Sequence, residues 1–195
     1  MSYHSPEDKI YIKIYLSGDN AVGKNSFIQR YRDNTFSEDP PRLLSPFKLG
    51  IIKHSFNKYF TIEILNFFCL FLPDNLLDFN VVILIFDITK AESFEFIKQQ
   101  YIKISKLVKE KCIFCFIGNK SDRKNERELT VNEGVNFCNR NNIQYFECSS
   151  KTGENIEEIM CLISRDILSN VENRKEKKKK TKFVQSISNC ICFKI

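Results

Sequence analysis

The stretch "GDNAVGKNS", residues 18–26, decides how the rest of the chain is read. It has the spacing G-x-x-x-x-G-K-[ST], except that Asn25 stands at the last position. Gly18 and Gly23 permit a tight turn, and the backbone N–H groups of residues 21–26 then converge at a helix N-terminus. Such a turn holds phosphate oxygens, with Lys24 reaching the terminal ones. The expected phosphate-binding set is Gly18, Ala21, Val22, Gly23, Lys24, Asn25 and Ser26. The hydroxyl that this motif supplies to Mg²⁺ is replaced by the amide of Asn25, whose oxygen sits one bond further out as a metal ligand. Ser26 is no substitute, because one helical step rotates it by about 100°.

The sequence around this loop alternates strand and helix. "KIYIKIYLSG" (9–18) is β-rich and "KNSFIQRYR" (24–32) has helical spacing. "PFKLGIIKHSF" and "YFTIEIL" flank Asn57-Lys58 and read as a hairpin. "VVILIFDI" (81–88) is the continuous apolar run of a strand buried on both faces. A helix is expected over 91–110, a strand over 112–118 and a strand over 143–149, with a last helix over 155–168. The helix over 130–141 starts with a capping box, Thr130 three residues before Glu133. This rhythm predicts an α/β fold, a mostly parallel central sheet with helices on both faces. The division expected is an N-terminal extension (1–8), one domain (9–171) and a flexible basic tail (172–195).

Composition narrows the class. The chain has 195 residues, 43% hydrophobic and 28% charged, and a net charge of +6. From Arg174 onward there are eight basic residues and one acid, so the tail carries the charge and the body is nearly neutral. A nucleic-acid partner is not expected, since it would need basic residues spread over a folded face. No signal peptide is recognised, and the eight cysteines read as free thiols in a reducing compartment. Cys112 and Cys115 form C-x-x-C inside a strand, where their odd spacing sends them to opposite faces as core thiols. "FFCLFL" (67–72) is far too short to span a membrane and reads as packing or as a partner-docking surface.

In a parallel α/β sheet, ligands bind beyond the carboxyl ends of the strands. Two further loops lie there. "GNKSD" (118–122) places Asn119, Lys120 and Asp122 in one turn, and a carboxylate can accept two N–H bonds from a guanine edge. "CSSKTG" (148–153) offers Ser149, the Ser150 N–H and the Lys151 stem to close over a base.

Phosphate loop, N-K-x-D and S-x-K on such a framework resemble the Ras superfamily of small GTPases. "GDNAVGK…RY…TFSED", "FDIT" and "SSKTG" are most similar to its Rab branch. The P-loop small G domain is the fold this implies, with GTP or GDP and Mg²⁺ as cofactors and two switch segments that respond to hydrolysis. By the same resemblance Asn119 and Asp122 read the base, Lys120 and Lys151 flank it, and Phe36 lies across its ring.

The departures from the family fall on the metal and γ-phosphate side. Asn25 replaces the first Mg²⁺ ligand, and no Thr occurs between Phe36 and Phe60, with Ser45 the hydroxyl before the hairpin. In place of D-x-x-G-Q the chain has Asn66, Cys69 and Leu70, and the segment that follows is several residues short. Each lost transition-state contact costs about 10²–10³ in rate. Weakened or absent Mg²⁺ and little hydrolysis are therefore expected, with no catalytic residue. A pseudo-GTPase scaffold tethered to a membrane, and a conventional Rab GTPase with a mispredicted or alternatively spliced second switch, stay open as alternatives.

The tail "RKEKKKKTKFVQSISNCICFKI" (174–195) sets a polybasic run before Cys190 and Cys192, which resemble doubly prenylated Rab cysteines. Two lipids, or one lipid and the basic run, suffice for anchoring. The expected partners are guanine nucleotide, a membrane, a prenylation escort, an exchange factor and effectors. The expected location is the cytoplasmic face of an intracellular membrane, with a cytosolic pool, in vesicle trafficking.

Overall fold

The computed structural model of the protein describes residues 9–39, 47–55, 58–66, 78–109 and 111–191. Side chains at 9, in 47–55, at 58, 59 and 66, and over 174–191 are outside that description, as are the segments holding Ser45, "FFCLFL", Cys69, Leu70 and Cys192.

Strand β1 (Lys9–Ser17) leads through the glycine loop into helix α1 (Lys24–Asp33). β2 (Phe47–Ser55) and β3 (Lys58–Asn66) pair antiparallel, with Ser55 opposite Lys58, as the hairpin reading predicts. β4 (Val81–Asp87), α2 (Ala91–Ile104), β5 (Ile113–Asn119), α3 (Val131–Arg140), β6 (Gln144–Glu147) and α4 (Ile156–Ile191) follow. The six strands form one sheet in the order β2-β3-β1-β4-β5-β6, parallel except for β2. The crossover helices explain the parallel pairs, because parallel neighbours need a long connection and the hairpin does not.

Every residue of β4 is buried, as its unbroken apolar run demands. One core layer joins the faces of β1, β3 and β4 to α1 and α4, through Phe27, Ile28, Met160 and Ile163. The other packs α2 and α3 on the opposite face, where Phe94, Phe116 and Phe137 meet edge to face or stacked. Cys115 belongs to the first layer and Cys112 packs against the second, so the C-x-x-C is two core thiols on opposite faces. Burial pushes the Cys112 thiol up to about 12, which leaves it protonated and inert.

α3 begins with the capping box: Glu133 N–H donates to Thr130 Oγ1 and the Thr130 N–H donates to Glu133 Oε2. Two helix ends differ from the sequence reading. α2 stops at Ile104, not 110, and gives way to turns in which Leu107 N–H donates to the Ile104 carbonyl. Its apolar period continues, with Leu107 45% exposed and Val108 packed against the core from the turn. α4 runs past 168 to Ile191, into the segment expected to be flexible. No Gly or Pro follows Gly153, and Lys, Glu and Gln are strong helix formers. No helix among the described residues is long and apolar enough to cross a membrane.

This topology places the ends of β1, β4, β5 and β6 along one edge of the sheet. Asp87 pairs with Asn119, and Gly118 with Glu147.

Candidate functional site

The glycine loop turns where a side chain would not fit. A Cβ on Gly18 would lie 2.2 Å from the Ile85 carbonyl oxygen, and Gly23 has a φ of +96°. Ala21 also has positive φ (58°) and is exposed at the crest, while Val22 is buried beneath it. Gly23 is the N-cap of α1 and offers no side chain to its first amides, and the first turn holds no acid. An acid-free N-terminus carries partial positive charge and suits an anion. The Lys24 ammonium adds a full charge at the same place. It donates to the Gly18 carbonyl (2.8 Å) and the Asp19 carbonyl (2.6 Å), curling the loop around itself. Asn25 is half-buried in the first helical turn, and Ser26 is 9% exposed on the core side. The loop thus sets an ammonium and a helix N-terminus side by side at the end of β1.

The other two loops are fastened to this one through Asn119, which is 1% exposed. Its Nδ2 donates to the Val22 carbonyl at 2.9 Å. Its Oδ1 accepts from the Ser150 N–H and the Ser150 hydroxyl, both at 3.0 Å. The Ser150 N–H, expected to face a base, thus holds Asn119. An amide nitrogen carries a second hydrogen, so the role in base reading and the tie to Val22 are compatible.

Asp122 is exposed on a short 3-10 turn, Ser121–Glu126. Its Oδ1 accepts from the Ser149 hydroxyl at 2.5 Å, which fixes the carboxylate direction. An ionised carboxylate has about four acceptor positions, so one donor leaves capacity for a base edge. Ser149 is itself buried and also accepts from the Thr152 N–H.

Lys120 has left-handed backbone (φ 67°), uncommon for a residue with a long side chain. Its ammonium lies 2.6 Å from Asp87 Oδ2 at the end of β4. Asp87 Oδ1 accepts from the Thr89 N–H and hydroxyl. Burial alone would raise the Asp87 carboxyl, but the bonds from Lys120 and Thr89 hold it below the usual carboxylate range. Lys151 is exposed and approaches Glu38 at 3.8 Å, and Phe36 is half-buried three residues beyond the end of α1.

The structure therefore brings the glycine loop, Asn119, Lys120, Asp122, Ser149, Ser150 and Lys151 to one edge. Asp87, Thr89, Arg30 and Glu38 carry no role in the sequence reading. Asp87 stands in the quoted "FDIT", but nothing local says that its partner lies at 120. A separate groove of about 660 Å³ lies at the far end of β5 and β6, lined by residues including Lys111, Asn142 and Asn170, and contains none of the site residues.

The parallel sheet, the glycine loop entering a helix and the joined loops define the P-loop class of α/β nucleotide-binding domains. Within it, the family model for the Ras family matches residues 13–169, and the chain belongs to that family of small GTPases. It is 27% identical over 177 residues to the Ras-related protein RabC of Dictyostelium discoideum, covering 87% of this chain and 90% of that one. It is 27% identical over 160 residues to the Ras-related protein RABC1 of Arabidopsis thaliana, covering 78% and 75%. It is 28% identical over 161 residues to a GTP-binding protein Rheb homolog of Dictyostelium discoideum, covering 80% and 86%.

Proposed function

We propose that this Rab-like protein binds a guanine nucleotide at that edge and acts in membrane traffic, with weakened Mg²⁺ coordination and little or no GTP hydrolysis. The observation that carries the binding half is the Asn119 tie between Val22 and Ser150, with Asp122 aimed by Ser149. Those contacts preorganise the base-reading carboxylate before any ligand arrives, and preorganisation is what converts contacts into affinity.

The phosphate cradle suits a diphosphate. The metal position does not suit Mg²⁺. The ion demands near-ideal octahedral geometry at about 2.0–2.1 Å, and the Asn25 oxygen sits one bond further out than a Ser hydroxyl. The register adds a second support: Asn66 pairs with Leu16, so the residue where the family has its Asp stands at the end of β3 beside the phosphate loop. An amide at both places removes a hydroxyl ligand and an anionic one. Mg²⁺, where bound, would neutralise phosphate charge. In this chain Lys24 and the α1 N-terminus supply most of that neutralisation, which favours GDP over GTP.

The polybasic segment and Cys190 and Cys192 support a lipid-anchored protein on the cytoplasmic face of an intracellular membrane, exchanging with a cytosolic pool. Cys190 lies within α4, and the basic run precedes it in the same helix. A prenylation escort, an exchange factor and effectors are the partners this reading requires.

Denaturing the purified protein and identifying the released nucleotide tests the first half. GDP in near-stoichiometric amount is the expected result, and no guanine nucleotide would overturn it. Single-turnover incubation with GTP tests the second half, and robust hydrolysis would overturn that.

A further inference from the structure

Ser150 is gripped from two sides. Its N–H and hydroxyl hold Asn119, and its carbonyl accepts from Arg30 Nε at 3.0 Å. Arg30 is on α1, 120 residues away in sequence. The same guanidinium donates from Nη2 to the Lys151 carbonyl and from Nη1 to the Asn34 carbonyl at 2.9 Å. Asn34 ends α1 in left-handed conformation (φ 53°) and starts the segment that carries Phe36. Gly153, also at positive φ, passes the Arg30 stem with room for little more than a methyl group.

We infer that Arg30 is a positioning residue that sets the width of the base slot by fixing the Ser150–Lys151 backbone and the Phe36 segment to one planar fork. The inference rests on the guanine-nucleotide reading. A guanidinium suits the task because it is always charged and presents its donors in a fixed plane, so separate carbonyls can be held at a set spacing. A lysine would offer a single mobile head. Bonds from a charged donor are the stronger ones, and here the acceptors are three main-chain carbonyls and, at 3.4 Å, the Asn34 side-chain oxygen, so Arg30 chiefly orders main chain. Glu38 approaches Lys151 across the same gap, so both walls of the slot are joined beyond Arg30 as well. With the walls loose, a bound base would leave faster, while the Asp122 edge that reads it would be untouched.

The test uses Arg30→Met, which keeps the stem and loses the donors, and Arg30→Lys, which keeps the charge on a single nitrogen without the planar fork. Release of a fluorescent GDP analogue is timed for each, with amide hydrogen exchange measured on the same preparations. The expected result is release about ten- to a hundredfold faster in Arg30→Met and intermediate in Arg30→Lys. The ratio of GDP to xanthosine diphosphate affinity stays at the wild-type value, and faster exchange is confined to residues 33–38 and 148–153. Wild-type release in Arg30→Met would overturn the inference, as would faster exchange spread evenly over the sheet. If Arg30→Met does not fold, Arg30→Lys alone decides, and wild-type release and exchange in it would overturn the inference. If the wild-type protein holds no guanine nucleotide, the function reading fails and the exchange measurement still decides the role of Arg30: unchanged exchange over 148–153 overturns it.

Discussion

Gly23 and Asn119 are in contact across the site: a Cβ on Gly23 would lie 2.3 Å from Asn119 Nδ2. The glycine that lets the phosphate loop turn thus also makes room for the amide that ties the base loops. The two halves of the site share this point, so a defect here is felt by both.

Gly23→Ala follows from that contact. The added methyl sits at positive φ, which costs roughly 1–2 kcal/mol, and must also push the Asn119 amide away. Displacing Asn119 from the Val22 carbonyl adds roughly another 1 kcal/mol. The melting temperature should fall by about 5–10 °C, and nucleotide release should accelerate. Differential scanning fluorimetry checks the first outcome; an unchanged melting temperature would mean that the loop relaxes freely.

Asp122→Asn changes the chemistry of base reading without removing a hydrogen-bond acceptor for Ser149. A carboxylate accepts from the N1–H and 2-amino group of guanine, whereas an amide presents a donor to one of them. Xanthine offers an acceptor at that place, so preference should move from GDP toward xanthosine diphosphate by about 10²-fold or more. Competition binding with both diphosphates measures it, and unchanged GDP affinity would show that Asp122 does not meet the base.

The framework was legible because it is written in local patterns. The apolar run at 81–87, the capping box at Thr130 and the glycine loop each announce themselves within ten residues. The joins between elements were not legible. Arg30 meets Ser150 and Lys120 meets Asp87 only after the sheet sets the spacing, and no short-range pattern encodes those pairs. The end of α2 is not legible because the apolar period continues past Ile104, and a charged composition does not mark the end of α4.

Acid should weaken the region behind Asp122. Arg127 holds Glu147 with both terminal nitrogens, at 2.8 and 2.6 Å, and the Tyr145 hydroxyl donates to the same carboxylate. Burial would raise the Glu147 carboxyl, but these bonds hold it below the usual range. The folded state therefore binds this proton less tightly than the unfolded one. The stabilisation is fully present above the ordinary carboxylate value of about pH 4 and is lost as pH falls through the depressed value. Glu147→Gln should cost about 1–3 kcal/mol at pH 7, with the gap to wild type narrowing below pH 4. Urea midpoints across that range measure it, and a constant gap would assign the loss to packing alone.

Cys190→Ser combined with Cys192→Ser should move the protein from membrane to soluble fractions. Stable anchoring takes two signals, and the basic run alone contributes about 1 kcal/mol per residue near an anionic surface. The remaining attachment should then be released by raised salt, since only the electrostatic component is screened. Fractionation at low and high ionic strength separates the two contributions. Equal membrane recovery of variant and wild type at high salt would place the anchor elsewhere.

Asn25→Ser asks whether the metal half can be restored at its first ligand. On the proposed reading, in which Lys24 and the α1 N-terminus supply most of the charge neutralisation, the wild-type protein should release a fluorescent GDP analogue at nearly the same rate with Mg²⁺ and with a chelator. A Ser hydroxyl at this place in the first turn is short enough to meet Mg²⁺ at its preferred distance without crowding the phosphates. The variant should therefore gain chelator sensitivity, with release at least about tenfold faster once Mg²⁺ is removed, a difference of about 1.4 kcal/mol. Hydrolysis should stay negligible, because the Asn66 and Leu70 positions still lack the groups that the family uses there. Strong chelator sensitivity in the wild type would show that Asn25 coordinates the ion after all, and the diphosphate-holding role given to Lys24 would then be shared with the metal.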